Sequence, residues 1–326
     1  MSLDERTTMS DIRPMSEVLK DAPTNWGKWG PDDEVGSLNY LTPEEVMRGI
    51  AHVRSGRVFT LQRMIGDPKG DPLWPGREAA VRTQVLDESD WDEGGSAPEY
   101  PGGLHYADDK IEAFLQGSTQ YDALGHVWYD GKIWNGFDAD TTRGGLEKAS
   151  ITPIANRGIV GRGILLDIAR WRGKDALDPA ESFTHEDLMA CAKDQGVKIE
   201  KHDILLVRTN FLKKFHEMGD AFYENFCEPG LVYSPELVQW FQEMEIPNLA
   251  TDTIANEVTF DPTTGVALPL HCALMRNLGV ALTEICDLEQ IAEDCAEDRQ
   301  YTFLYAAAPL KVHKAAGTPV NPLAVK

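Results

Sequence analysis

Short apolar runs alternate with amphipathic stretches along most of this chain. Ile164–Ile168, within GRGILLDIARW, and Ile204–Val207, within HDILLVRTN, are nearly continuous apolar runs bounded by glycine or charge, the pattern of strands covered on both faces. Between them Thr184-His185-Glu186-Asp187 reads as a helix cap, with Leu188, Ala192 and Val197 carried toward Gly196. Ser234 followed by Pro235 opens a second helix, with Leu237, Trp240 and Phe241 as its buried stripe. Thr42-Pro43-Glu44-Glu45 opens another, expected over Pro43–Arg54. Arg57–Ile65, the alternating AAVRTQVLDES, and IPNLATDT ending at Asp252 read as strands. Strands and helices in this alternation predict an α/β fold with at least partly parallel pairing.

Three segments fall outside the pattern. Met1–Asp21 is polar and aperiodic, as expected of a mobile arm or a partner-binding extension. After it, Trp26 and Trp29 either anchor the extension to the domain or help roof a pocket. DWDEGGSAPEYPGGLHYADD, rich in Gly, Pro and acids, reads as a loop long enough to act as a lid, with His105 solvated in it. The organisation expected is an extension over residues 1–55 (arm plus capping helix) and one domain over 56–326.

Composition narrows the class. With 326 residues and 42 % hydrophobic content the chain can bury a full core. A formal net charge of -22 argues against nucleic acid or an anionic membrane surface as partner, since both would repel it. The five cysteines are odd in number and lack C-x-x-C spacing, so neither a disulfide framework nor a zinc ribbon is expected. The N-terminus has no apolar h-region, and no run approaches the ~18 apolar residues of a membrane span, so a cytoplasmic location is expected. No G-x-G-x-x-G follows a strand, and nucleotide binding is not suggested.

The chemistry concentrates in FLQGSTQYDALGHVWYDGKIWNG, residues Phe114–Gly136. If this stretch is extended, Gln116, Ser118, Gln120 and Asp122 share one face, and Leu115 and Tyr121 the other. A buried row of that kind needs a metal, a ligand or a dense hydrogen-bond net, whereas an exposed row is simply a solvated strand face. Downstream, LPLHCALMRNLGVALTEICDL sets His271 at the start of an apolar-faced helix stopped by Gly279, followed by a strand ending at Glu284. A histidine and a carboxylate so placed can converge.

The first of these segments resembles the signature H-x-G-T-H-x-D-x-P-x-H of the cyclase-like metal-dependent hydrolases, the superfamily of bacterial kynurenine formamidase and isatin hydrolase. Aligned on Asp122, the signature's last histidine falls on His126 and its threonine on Thr119. Its two earlier histidines fall on Gln116 and Gln120, its glycine on Ser118 and its proline on Leu124. Leu278, Gly279, Val280, Glu284 and Leu288 follow the family's H-x-x-L-L…G-V…E-N-L layout. Leu73-Trp74-Pro75-Gly76 is similar to its aromatic-Pro-Gly turn, and Gly317–Val320 to its closing G-[ST]-P-V turn. The resemblance runs from about Val58 to Ala324. It implies a β/β/α-type cyclase-like fold, a central mixed sheet flanked by helices.

It also implies a mechanism. Asp122, His271 and Glu284 would bind one divalent cation, with Gln120 and Gln116 adding amide oxygens; this harder donor set makes Mn²⁺ as suitable as Zn²⁺. His126 would act as acid/base, or else would ligate the ion and leave Glu284 as base. The reaction implied is hydrolysis of an amide, lactam or lactone. Trp74 and Trp128, with Tyr129 and Trp134, could wall an aromatic pocket, or could be core; Arg143, Arg157 or Arg170 could meet a substrate carboxylate. Two rivals stay open: a small-molecule-binding or degenerate member that has lost its metal, and a metal-free acid/base enzyme using His126 and Glu284. By family analogy the chain is expected to form a homodimer or larger homo-oligomer.

Overall fold

The structure, a computed structural model, describes residues 12–224 and 226–326. Its strands in chain order are β1 Val58–Thr60, β2 Val81–Leu86, β3 Asp108–Glu112, β4 Gln120–Asp122, β5 Ile159–Asp167, β6 Ser182–Phe183 and β7 Ile204–Arg208. They continue as β8 Gly230–Leu231, β9 Asn248–Thr251, β10 Ala281–Glu284, β11 Thr302–Ala307, β12 Gly317–Pro319 and β13 Leu323–Val325. Nine of them form one mixed sheet in the order β1-β13-β11-β5-β7-β9-β10-β4-β12. The centre, β5-β7-β9-β10, is parallel and the flanks are antiparallel. The apolar runs read as two-face-covered strands are β5 and β7, and every residue of β7 is buried.

Helix starts follow their caps. Thr184 and Asp187 form a reciprocal capping box on His185–Gln195, which Gly196 ends in the left-handed conformation. Ser234 Oγ accepts the Leu237 N–H at the start of Pro235–Glu243. The helix at Pro43 stops at Ile50, earlier than Arg54, because the N–H groups of His52 and Val53 turn back to Gly49 and Ile50. Gly49 lets this helix touch the sheet: a Cβ there would lie 2.7 Å from the Gly161 backbone.

Two expectations are revised. Residues 1–11 of the expected arm lie outside the described residues, but from Met15 onward the segment is packed, with Leu19, Leu38 and Leu41 in the main core. The second concerns only the ends of the expected lid loop: residues 92–107 hold no helix or strand, while its first two residues close a short helical turn, Glu88–Trp91, and its last two begin β3, which pairs with β2 as a separate ribbon exposed along its length. DDKIE carries no apolar alternation, so nothing in it marked a strand. Among the described residues all five cysteines are unpaired, and no helix is long and apolar enough to cross a membrane.

Candidate metal centre

Sheet register brings the two chemical segments together. Antiparallel pairing sets Gln120 of β4 directly opposite Glu284 of β10, while Asp122 lies opposite Gly317 of β12. His271 opens a π-helix, His271–Leu278, whose wide turn ends at Gly279. Gly279 is obligatory there: its φ is +72°, and a Cβ would lie 2.7 Å from the Trp134 ring.

The resulting site is buried and rich in carboxylate. Asp122, His271 and Glu284 are buried, and each offers a ligand atom within 4.8 Å of the others. His271 Nε2 lies 3.0 Å from Glu284 Oε1, and Nδ1 lies 2.9 Å from Glu257 Oε1. Gln120 Nε2 donates to Glu284 Oε2 at 2.6 Å, and Asn256 Nδ2 donates to Glu284 Oε1 at 3.0 Å. His126 Nε2 stands 3.8 Å from Asp122 Oδ2.

Four buried acids therefore crowd around one imidazole. Burial, then the Glu284 charge, push Asp122 well above the usual carboxylate range, against the pull of His271 and Arg77. Burial pushes Glu228 up likewise, and the Ile254 N–H opposes it. Glu257 is raised by burial in spite of its bond to His271. Burial works against a charge on His271, but the hydrogen bonds to Glu257 and Glu284 outweigh it and hold that ring well above an ordinary histidine. His126 is pushed down, first by burial and then by His271 and Arg77; its side chain keeps 24 % of its surface, so water still reaches the ring.

These residues fit a divalent cation. Asp122 Oδ1 and Gln120 Oε1 are buried without a hydrogen-bond partner among the described residues. Such atoms are costly unless something positive meets them. A carboxylate, a second carboxylate, an imidazole and an amide oxygen form a donor set suited to a hard or borderline ion.

Gln116 and Ser118 do not share the strand face with Gln120 and Asp122, because the chain turns at Gly117, whose N–H returns to the Phe114 carbonyl at 3.0 Å. Gln116 nevertheless stays close. A Cβ on Gly317 would lie 2.8 Å from its Nε2 and 3.1 Å from Asp122 Oδ1, so both groups border one small space that only glycine leaves open.

The aromatic residues divide. Trp128, 47 % exposed, lines a cleft of about 310 Å³ together with His126 and His271. Trp74 packs edge-on against Phe226 at 5.1 Å, in a second core cluster that includes Ile285, the neighbour of Glu284. Trp134 is core, with its N–H on the Asp33 carbonyl. Tyr129 stacks under the Arg276 guanidinium at 3.7 Å. Trp26 and Trp29 anchor the N-terminal segment: Trp26 bonds the Arg276 carbonyl and Trp29 packs on Tyr40.

Arg143 pairs with Asp140, Arg157 bonds the Leu41 carbonyl and Arg170 pairs with Asp167 and Glu293. The arginine beside the site is Arg77, whose Nη1 donates to the Gln116 carbonyl at 2.6 Å. Sequence reasoning missed Arg77, Glu228, Asn256 and Glu257. Each stands in a turn-rich segment with no periodicity, and only the adjacency of β9 and β10 brings the three downstream residues to Glu284.

Comparison with known proteins gives the family and the fold. The Cyclase family model matches residues 51–258, a span that contains Asp122 and His126 and ends before His271 and Glu284. A solved structure described as a novel cyclase is 34 % identical, with 97 % of this chain and 100 % of that chain covered and a TM-score of 0.84. Isatin hydrolase A from Labrenzia aggregata, bound to benzyl benzoate, shares the fold at 19 % identity, with 89 % of this chain and 100 % of that chain covered and a TM-score of 0.59. Isatin hydrolase A from Ralstonia solanacearum does so at 18 %, with 82 % and 91 % covered and a TM-score of 0.58. A comparison with curated proteins found no match. With the family model over more than half of its length and a 34 % identical relative over nearly all of it, the chain belongs to the cyclase family.

Proposed function

We propose that this protein is a metal-dependent hydrolase that opens an amide, lactam or lactone bond of a small cyclic or aromatic substrate. The observation that carries the reading is the pair of buried, partnerless oxygens, Asp122 Oδ1 and Gln120 Oε1, at the cluster of Asp122, His271 and Glu284. Asp122, His271 and Glu284 would hold the ion, with Gln120 and Gln116 within reach of the same space. When bound, a divalent cation such as Mn²⁺ or Zn²⁺ supplies Lewis acidity toward a carbonyl oxygen and an attacking water.

The chain's own groups do the rest. Glu257 accepts a hydrogen bond from the Nδ1–H of His271 and so aims Nε2 at Asp122 and Glu284. Gln120 and Asn256 clamp Glu284. His126, kept neutral and still reached by water, can accept a proton from the nucleophile and return it to the leaving group. The cleft over His126 and His271 is at the small end of ligand pockets, which run from ~300 Å³.

Isatin hydrolases share this fold, which makes an aromatic lactam a reasonable first substrate to try. The rival reading, a binding protein that has lost its ion, draws on the glutamines at 116 and 120. Assay of isatin, formanilide and an aryl lactone with Mn²⁺- or Zn²⁺-loaded protein tests the proposal. Turnover that disappears with chelator and in His126→Ala is expected; no turnover of any of the three with metal bound favours the rival.

A further inference from the structure

The cleft over His126 and His271 has a wall that the family signature does not supply. Met15, on the short helix Met15–Val18, lines it together with Trp128, Leu268 and Cys272. Leu268 holds a φ of +51°, a strained value for a branched residue and one that structures keep where the surroundings impose it.

Met15 is held there by a strap, residues 12–26, that completes the helix carrying His271. The last carbonyls of a helix have no partner within it. Here the Trp26 indole donates to the Arg276 carbonyl at 2.7 Å, the Asn25 N–H to the Asn277 carbonyl at 2.9 Å, and Asn25 Nδ2 to the Leu278 carbonyl at 3.0 Å. Leu19 is buried in the main core, and the Tyr233 hydroxyl donates to the Val18 carbonyl at 3.1 Å. The strap is thus pinned at both sides of the turn that follows Met15, and the thioether is presented to the cleft from a fixed backbone.

We propose that Met15 is a specificity-determining residue: with Trp128 it forms a polarizable, apolar mouth that selects a single small aromatic ring next to the carbonyl to be attacked. The proposal rests on the hydrolase reading for the word substrate, but not for the binding of the ring. A thioether and an indole lining one small cleft favour a flat π-face, and Met15 is the one residue of the strap that lines it.

The test uses full-length protein labelled with ¹³C at its methionine methyl groups and benzamide as probe. The Met15 resonance is identified by its loss in Met15→Leu. Titration is expected to shift that resonance saturably, with Met15→Leu binding benzamide within about twofold of wild type and Met15→Ala about fivefold more weakly, the scale of a lost apolar contact. A Met15 methyl that does not respond, a Met15→Ala affinity equal to wild type, or no binding of benzamide by wild type overturns the proposal. If metal-loaded protein turns over no amide while the Met15 shift persists, hydrolysis fails and the mouth assignment stands.

Discussion

His271 Nδ1 and Glu257 Oε1 lie 2.9 Å apart, and the same oxygen accepts the His271 backbone N–H at 2.6 Å. One buried carboxylate therefore fixes both the backbone and the ring of the residue that opens the π-helix. This is the arrangement that orients a metal-binding imidazole and raises its basicity. Glu257→Gln is expected to leave the fold intact and weaken Mn²⁺ or Zn²⁺ affinity by about 10–100-fold, measured by competition with a chelator.

Asp122 and His126 should separate on substitution. Asp122 offers a partnerless oxygen to the centre, whereas the His126 ring stands 3.8 Å from the other Asp122 oxygen, beyond hydrogen-bond distance, and opens to the cleft. Asp122→Ala is expected to abolish ion binding. His126→Ala should keep the ion and lose about 10²–10⁴ in rate, the usual contribution of a positioned acid/base. Loss of metal from His126→Ala would make His126 a ligand and transfer the base role to Glu284.

Gly317 tests the space between Gln116 and Asp122. A methyl group there would sit 2.8 Å from Gln116 Nε2 and 2.8 Å from the Tyr121 carbonyl oxygen, so the Gln116 side chain must withdraw and the β4 backbone beside Asp122 must shift. Gly317→Ala should lower ion affinity more than it lowers the thermal midpoint. Equal affinity in the two proteins would remove Gln116 from the account.

A pH effect is expected away from the centre, at Asp252. Burial raises its pKa to about 6 from the ordinary 3.8, more than the hydrogen bonds from Thr209 and the charge of Arg208 lower it. The folded state thus binds this proton more tightly than the unfolded one. The stability it contributes is fully present below about pH 4 and is lost as pH rises through about 6. Asp252→Asn should be free of that loss. Its stability relative to wild type, from urea unfolding at pH 4 and pH 7, should rise by up to about 3 kcal/mol; a pH-independent difference would contradict the assignment.

How much of this could be read beforehand depended on locality. Caps at Thr184 and Ser234 and the stop at Gly279 are written in three or four consecutive residues, and the structure follows them. The helix start at His271 and the strand end at Glu284 are local signals too, but their grouping with Asp122 came from the family resemblance and not from spacing. Gln116 and Ser118 went astray since period-two reading assumes an unbroken strand, and Gly117 turns the chain just before β4. Glu228 and Glu257 could not be found at all from spacing: their burial comes from sheet order, a long-range property that an isolated acid in a loop does not announce.

Metal analysis of protein purified without chelator bears most directly on the central claim. The arrangement of Asp122, His271 and Glu284 predicts close to one divalent ion per chain, a thermal midpoint raised by Mn²⁺ or Zn²⁺, and the loss of both in Asp122→Ala. Substoichiometric metal together with no thermal shift from either ion would contradict it.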